Sequence, residues 1–176
     1  MRRQRFLLFR VYRYQDADAY AELYDIYYER IRRFVYFKLP NPVVDETAAE
    51  VFLRAWEYAT ASSVDNAAAL FYRIARNLIA DYYRKHGDQK LESIDSQEIE
   101  SSDDVEQNVE GKMESEKLLV ILKGLKGDYQ EVIMMRYLDE MSISEIASAT
   151  GKTSNHIRVT LHRAKKALKD AATQTN

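Results

Sequence analysis

Residues 142–168 read SISEIASATGKTSNHIRVTLHRAKKAL, and the fold is decided here. Ser142 and Glu145 stand three apart in the S-x-x-E pattern of a capping box, in which the hydroxyl accepts from the Glu N–H and the carboxylate accepts from the Ser N–H. The spacing predicts a helix that opens after Ser142 and runs through Ile146 and Ala147 to Thr150. Gly151 suits the left-handed backbone that ends a helix, and Thr153 or Ser154 can cap the next one. Ala147, four residues before Gly151, is small enough to let the two helices cross closely, while Ile157, six residues after it, fills the gap. The pattern is a helix-turn-helix.

Wrapping residues 154–169 at about 100° per residue gathers Ile157, Leu161, Ala164 and Leu168 into one inward stripe. Asn155, Arg158, Val159, His162, Lys166 and Lys169 lie opposite. Between Gly151 and Lys169 there are six Lys/Arg and no acid. A solvated helix face usually mixes both signs, whereas a one-sign face suits insertion into the major groove of DNA. Asn155, Arg158 and His162 can reach base edges. Lys152, Arg163, Lys165, Lys166 and Lys169 are placed for phosphates, and Ser154, His156 and Val159 complete the candidate set.

Working outward, the 176 residues contain only five Gly and two Pro, with 46% hydrophobic and 31% charged residues, which favours long helices in a globular chain. The absence of Cys rules out disulfides and thiolate zinc sites and suits a reducing compartment. His86, His156 and His162 are scattered, and there is no glycine-rich phosphate loop or metal-ligand spacing. Neither an enzyme nor a bound cofactor or metal is expected. The N-terminal apolar run, Phe6 to Phe9, is broken by Arg10 and Arg13, and no stretch approaches the ~20 apolar residues of a membrane span. No membrane insertion is expected, and the cytoplasm is the expected location.

The net charge of -2 hides three unlike segments. Residues 1–90 sum to +3, residues 91–116 to -9 and residues 117–176 to +4. Residues 91–111, LESIDSQEIESSDDVEQNVEG, are rich in Ser, Gln and acids and have no steady apolar period, so they read as a flexible acidic linker, either a solvated spacer or a strap that mimics nucleic acid or masks a basic face. The chain divides accordingly into a helical domain at 1–90, a linker at 91–112 and a second helical domain at 113–172. Helices are expected at about 4–14, 16–38, 43–59 and 66–86, broken at Leu39-Pro40-Asn41-Pro42 and Ala61-Ser62-Ser63-Val64-Asp65. In the second block, Leu118, Leu119, Leu122 and Leu125 fit one stripe, and Val132, Ile133, Arg136 and Tyr137 suggest a helix after Gly127-Asp128. The fold class is all-α, two small helical domains.

Two further groups stand out in the first block. Asp45, Glu46 and Glu50 form an acidic edge ahead of Arg54, while Phe52, Leu53 and Trp56 read as core. In the fourth helix Tyr72, Arg76 and Tyr83 share an aromatic and basic face, and Leu70, Ile74 and Leu78 share a packed one. Rings and guanidinium groups together suit single-stranded DNA. Tyr20, Tyr24, Tyr27, Tyr28 and Tyr36 recur at helical spacing and read as core or interface.

Taken in order, DETAAEVFLRAW (45–56), YRIARNLIADYYRK (72–85) and LKGDYQEVIMMRYLDEMSISEIASATG with LHRAKKAL (125–151, 161–168) resemble regions 2 and 4 of bacterial sigma factors of the extracytoplasmic-function (ECF) type. The resemblance covers nearly the whole chain. It implies partners: core RNA polymerase, whose clamp helices would meet Asp45, Glu46, Glu50 and Arg54; promoter DNA; and an anti-sigma factor. It also implies that residues 1–90 recognise and melt the minus-10 element, with Ser62, Ser63, Asp65, Tyr72, Arg76, Asn77, Tyr83 and Arg84 on the DNA. Residues 113–172 would read the minus-35 element. Asn77 and Asp81 match family positions but could equally bond within the bundle. Ala49 and Leu70 depart from the Gln and Trp common in the family. A helix-turn-helix regulator that never engages polymerase explains residues 142–169 alone and leaves the acidic edge and the aromatic face without a role.

Exposed carboxylates contribute little to stability, so Glu50→Lys is expected to weaken assembly with core polymerase while leaving helicity intact. Co-purification together with circular dichroism checks this; normal assembly with lost helicity would make Glu50 structural.

Overall fold

A computed structural model describes residues 2–86 and 120–174, and among these there are helices and no strands. The linker expected at 91–112 lies outside the described residues, as do Leu118 and Leu119.

The first block holds α1 (Arg2–Tyr14), α2 (Ala17–Tyr36), α3 (Val44–Ala61) and α4 (Ala67–His86), each within about two residues of expectation at both ends. Gln15, at φ 49°, turns the corner after α1. Asp16 then caps α2 by accepting from the Ala19 N–H at 3.0 Å, and Arg10 Nη2 holds the same side chain at 2.6 Å. Leu23, Tyr27, Ile31 and Phe34 recur along the buried side of α2. Pro40 and a short 3-10 turn at Asn41–Val43 separate α2 from α3. Asn66 opens α4 by accepting from the Ala69 N–H at 2.9 Å.

Aromatic rings fill the middle of the bundle. Phe71 lies 4.8 Å from Phe52 and 5.1 Å from Tyr27, and Tyr20 meets Trp56 edge-on at 5.1 Å. Of the residues read as core in α3, Phe52 is buried and Trp56 half-buried, but Leu53 is 54% exposed. The correction has a simple cause: Leu53 follows Glu46 and Glu50 at helical spacing, on the outward side of a helix whose inner stripe is Ala48, Val51, Phe52, Ala55 and Ala59.

In the second block residues 120–124 are helical, with Leu122 buried. They are followed by α5 (Gly127–Ile133), α6 (Ile143–Thr150) and α7 (Ser154–Gln174). The capping box forms as read: the Glu145 N–H donates to Ser142 Oγ at 3.2 Å and the Ser142 N–H to Glu145 Oε2 at 2.8 Å. Gly151 takes φ 68°, a backbone that other residues adopt only under strain. Thr153 Oγ1 accepts from the His156 N–H at 3.2 Å. Ile157 and Ala147 are both buried.

Between α5 and α6 the chain widens into a π turn over Met134–Leu138, which closes with the Asp139 N–H on the Met134 carbonyl at 3.1 Å. Glu140 follows at φ 56°. This irregular corner carries Asp139 out of the second block and into the first.

The two blocks pack on one another, α4 running along α6, and their buried side chains belong to one hydrophobic core. Arg33 Nη2 reaches Asp139 Oδ1 at 2.5 Å, the Tyr72 hydroxyl donates to Asp139 Oδ2, and Arg30 Nη1 donates to the Asp139 carbonyl at 3.3 Å. Arg76 Nη1 donates to the Thr150 carbonyl at 3.2 Å and its Nε lies 2.5 Å from Glu131 Oε1. Lys38 Nζ donates to the Gly127 carbonyl at 3.0 Å, and Asn66 Nδ2 to Glu145 Oε1 at 3.2 Å. In each of these contacts the donor comes from the first block and the acceptor from the second.

Asp139→Ala would leave the Tyr72 hydroxyl and one Arg33 nitrogen without their acceptor in a dry contact. The cost is expected below the ~3–5 kcal/mol of breaking a fully buried pair, at about 2 kcal/mol, because Arg33 keeps partial access to water. Chemical denaturation should report that loss, and limited proteolysis should show faster cleavage between the blocks.

Candidate nucleic-acid interface

Helix α7 presents the surface that its sequence foretells. Ile157, Leu161 and Ala164 are buried and Leu168 half-buried, while Asn155, His156, Arg158, Val159, His162, Arg163, Lys165, Lys166 and Lys169 are exposed. Capping by Thr153 fixes where the helix begins, and so directs Asn155 and Arg158 outward from its first turns. Ser154 and Lys152 are half-buried, and Lys152 Nζ lies 3.3 Å from Asp128 Oδ2 at the start of α5. Lys165 Nζ sits 5.1 Å from the centre of the Tyr137 ring.

A groove beside this surface is lined by Lys126, Asp128, Tyr129, His156, Thr160 and Arg163. Lys126 thereby joins the basic face of α7. Sequence reasoning missed it because it lies about thirty residues before α7 and belongs to no shared period with it.

The candidate minus-10 residues are split between two surroundings. Ser63, Asp65, Asn77 and Arg84 are exposed, and Ser62 is half-buried. Asp65 Oδ1 meets Arg5 Nη2 at 3.2 Å, and Arg84 pairs with Asp81 on the surface. Tyr83 is half-buried and donates to the Lys38 carbonyl. Neither Asn77, which is exposed, nor Asp81 bonds into the bundle interior through a side-chain contact seen among the described residues.

Tyr72 and Arg76 lie on the covered side of α4. Tyr72 is 0% exposed, and burial pushes its hydroxyl well above the usual tyrosine range, reinforced by the neighbouring Asp139 carboxylate. No base can stack on it in this arrangement. Of the expected aromatic and basic face, Tyr72 and Arg76 are covered by α5, α6 and the Asp139 corner, with Phe34 of the first block edge-on to Tyr72 at 5.1 Å, while Tyr83 is tied to the Lys38 carbonyl. Helical wrapping distinguishes the two sides of α4 and cannot tell that a second block occupies one of them.

Electrostatics at the covered face are tight. Burial raises the Glu131 carboxyl above its ordinary value, against the pull of Arg76 and Lys38. Although Arg76 Nε is only 2.5 Å away, Glu131 Oε1 receives no well-directed hydrogen bond. Burial likewise lowers the Lys38 ammonium, opposed by Glu131 and Asp128. For Glu145, burial works against ionisation, but the bonds from Ser142 and Asn66 outweigh it and hold the carboxyl below its usual range.

The acidic edge of α3 is open. Asp45 Oδ1 accepts from Arg32 Nε at 2.7 Å, Glu50 Oε1 accepts from Arg54 Nε at 2.7 Å, and Glu46 is exposed. Leu53 follows on the same side as an exposed apolar residue, which makes the edge mixed in character; its spacing of three from Glu50 and seven from Glu46 is the signal that could have found it.

Among the described residues no group of three or more His, Asp or Glu could hold a metal ion, and no helix is long and apolar enough to cross a membrane.

Residues 23–89 match the family described as sigma-70 region 2, and residues 115–168 match that described as sigma-70, region 4. The chain is 29% identical over 161 residues to the ECF RNA polymerase sigma factor BldN of Streptomyces coelicolor, covering 87% of this chain and 60% of that one. It is 27% identical over 166 residues to the ECF RNA polymerase sigma factor SigW of Bacillus subtilis, covering 88% of this chain and 89% of that one. In fold it is similar to a solved structure of CnrH in complex with the cytosolic domain of CnrY, at TM-score 0.73 and 19% identity over 99% of each chain. Two sigma-70 regions, in their proper order and together taking in about two thirds of the sequence, place this chain in the sigma-70 family as a sigma factor of the ECF type.

Proposed function

We propose that the chain docks on core RNA polymerase through the α3 edge, reads minus-35 DNA with α7, and occupies here a closed form in which the minus-10 face is held shut. The single observation that carries this is the asymmetry between the two DNA faces: α7 is exposed and free of acid up to Asp170, while Tyr72 and Arg76 are engaged by Asp139, Glu131 and Thr150. Residues 1–90 then serve as the polymerase-docking and minus-10 unit, and residues 113–172 as the minus-35 unit.

The residue roles follow from chemistry. Asn155, Arg158 and His162 meet base edges, Val159 offers an apolar contact, and Lys152, Arg163 and Lys166 hold phosphates alongside Ser154 and His156. Asp45, Glu46, Glu50 and Arg54, joined by Leu53, face the clamp helices of the polymerase. Ser62, Ser63, Asp65, Asn77, Tyr83 and Arg84 border the path of the melted strand. Tyr72 and Arg76 join them when the blocks separate, and Arg33 and Lys38 are released at the same moment. The factor acts in the cytoplasm, selecting the start site while the polymerase supplies the catalysis. A protein that covers the α3 edge or stabilises the closed form would be an anti-sigma factor.

Run-off transcription with core polymerase tests the reading. Added chain should give promoter-dependent transcripts from templates selected by holoenzyme binding; DNA binding without any transcript would favour a regulator that bypasses polymerase.

Arg158 and Lys166 should differ in kind. Arg158 can pair its fork with guanine O6 and N7, worth ~1–3 kcal/mol of base discrimination, so Arg158→Ala should relax preference at one or two base pairs of the minus-35 element. Lys166→Ala should weaken all sequences alike and lower the salt slope by about one. Competition binding over single-base variants at several salt concentrations separates the two, and a uniform loss from both would mean that Arg158 does not read bases.

A further inference from the structure

Helix α1 precedes the matched region 2 and carries five arginines and no acid. Its inner side, Leu7, Leu8 and Val11, is buried in the bundle. The outer side is unusual for a solvated helix: Phe6 is 58% exposed and Phe9 53%, and Tyr12, Tyr14 and Arg13 are exposed with them. Scattered apolar residues on a surface need no explanation, but three aromatic rings on consecutive turns of one helix do.

Two contacts shape this face. The Arg10 guanidinium carbon lies 6.0 Å from the Phe6 ring centre, and Phe9 meets Tyr14 edge-on at 6.2 Å, so both Phe rings are braced by neighbours on their own helix. Arg3 and Arg10 are engaged by Glu22 and Asp16, whereas Arg13 makes no ion pair among the described residues. At the other end of the face, Arg5 Nη2 reaches Asp65 Oδ1 at 3.2 Å, joining α1 to the loop between α3 and α4.

We propose that the outward face of α1, formed by Phe6, Phe9, Tyr12 and Arg13, is a stacking platform for single-stranded DNA that continues the path beginning at the loop around Asp65. More than half exposed and braced from one side, the Phe rings accept bases of any identity, and the unpaired guanidinium beside them suits a phosphate. The net positive charge of the helix complements a nucleic-acid backbone. An acidic protein surface would match the charge as well, but it offers no planar groups for three rings. A lipid surface would have only these outer rings to enter, since the aliphatic residues Leu7, Leu8 and Val11 are packed into the bundle, and anionic vesicles form the other arm of the test. The inference rests on the minus-10 reading only for the direction of the strand. The platform is exposed in the closed form, so it can be tested where Tyr72 is covered.

Phe9→Trp in the full-length chain places an exposed indole on the face, with buffer-accessible emission to compare against the single native Trp56, which is half-buried. Titration with a dT12 oligonucleotide should quench the added emission in a saturable way, and the Phe6→Ala/Phe9→Ala double variant should bind dT12 at least about fivefold more weakly than the wild type. Arg13→Ala should lower the salt slope by about 0.7. Because all these residues point outward, unchanged helicity is expected and is measured alongside. Absence of quenching, or equal dT12 affinity for the double variant, overturns the platform. So does an emission shift with phosphatidylglycerol vesicles and none with dT12. Run-off transcription separates the two levels: a wild-type chain that gives no transcript overturns the sigma reading, whereas normal transcription with no dT12 response overturns only this inference.

Discussion

Of the two buried carboxylates that bridge the halves of this chain, Glu131 and Asp139, the deeper one, Asp139, gathers the most partners. Asp139 is almost without solvent, and an ionised group in such a place is tolerated only when partners replace the lost water. Its partners are Arg33 and Tyr72, both from the other block, with Arg30 on its backbone carbonyl. Both oxygens of the carboxylate are met from the other block, at the corner where the π turn ends. Closure of the blocks is therefore what makes the corner electrostatically acceptable. The packing of α4 on α6 then adds apolar burial to a contact whose register Asp139 has set.

The same arrangement leaves the basic face of α7 open and covers the aromatic and basic side of α4. Groups that suit phosphates and bases in the first block, Arg33, Arg76 and Tyr72, are met by Asp139, Glu131 and a carbonyl at the end of α6. The second block thus meets the cationic and hydroxyl groups of α2 and α4 with two carboxylates and a carbonyl. Helix α7 lies on the far side of that block and loses none of its basic face to the contact.

What could be read from the sequence was what is local. The capping box, Gly151 and the stripe of Ile157, Leu161 and Ala164 all depend on neighbours within a few residues, and each forms as its spacing requires. The outward set on α7 was legible for the same reason. Tyr72 was not, because its surroundings come from far along the chain, Phe34 of α2 and Asp139 of the second block, and its aromatic-basic periodicity is the same whatever covers it. Leu53 failed in the other direction: hydrophobicity suggested interior, while its angle on the helix, shared with Glu46 and Glu50, put it outside. The π turn had no sequence signal, since MMRYL continues the apolar period of α5 and only the backbone shows the extra residue.

The capping carboxylate of Glu145 divides its two oxygens between different tasks. Oε2 accepts from the Ser142 backbone and hydroxyl and so belongs to the helix start, while Oε1 accepts from Asn66 of the other block. Parting the blocks breaks the second bond and leaves the first untouched. Nor does Asn66 lose its own role, since its side-chain oxygen still caps α4. At this contact, then, neither helix start draws its cap from the other block, and each cap is complete without the bond that joins them.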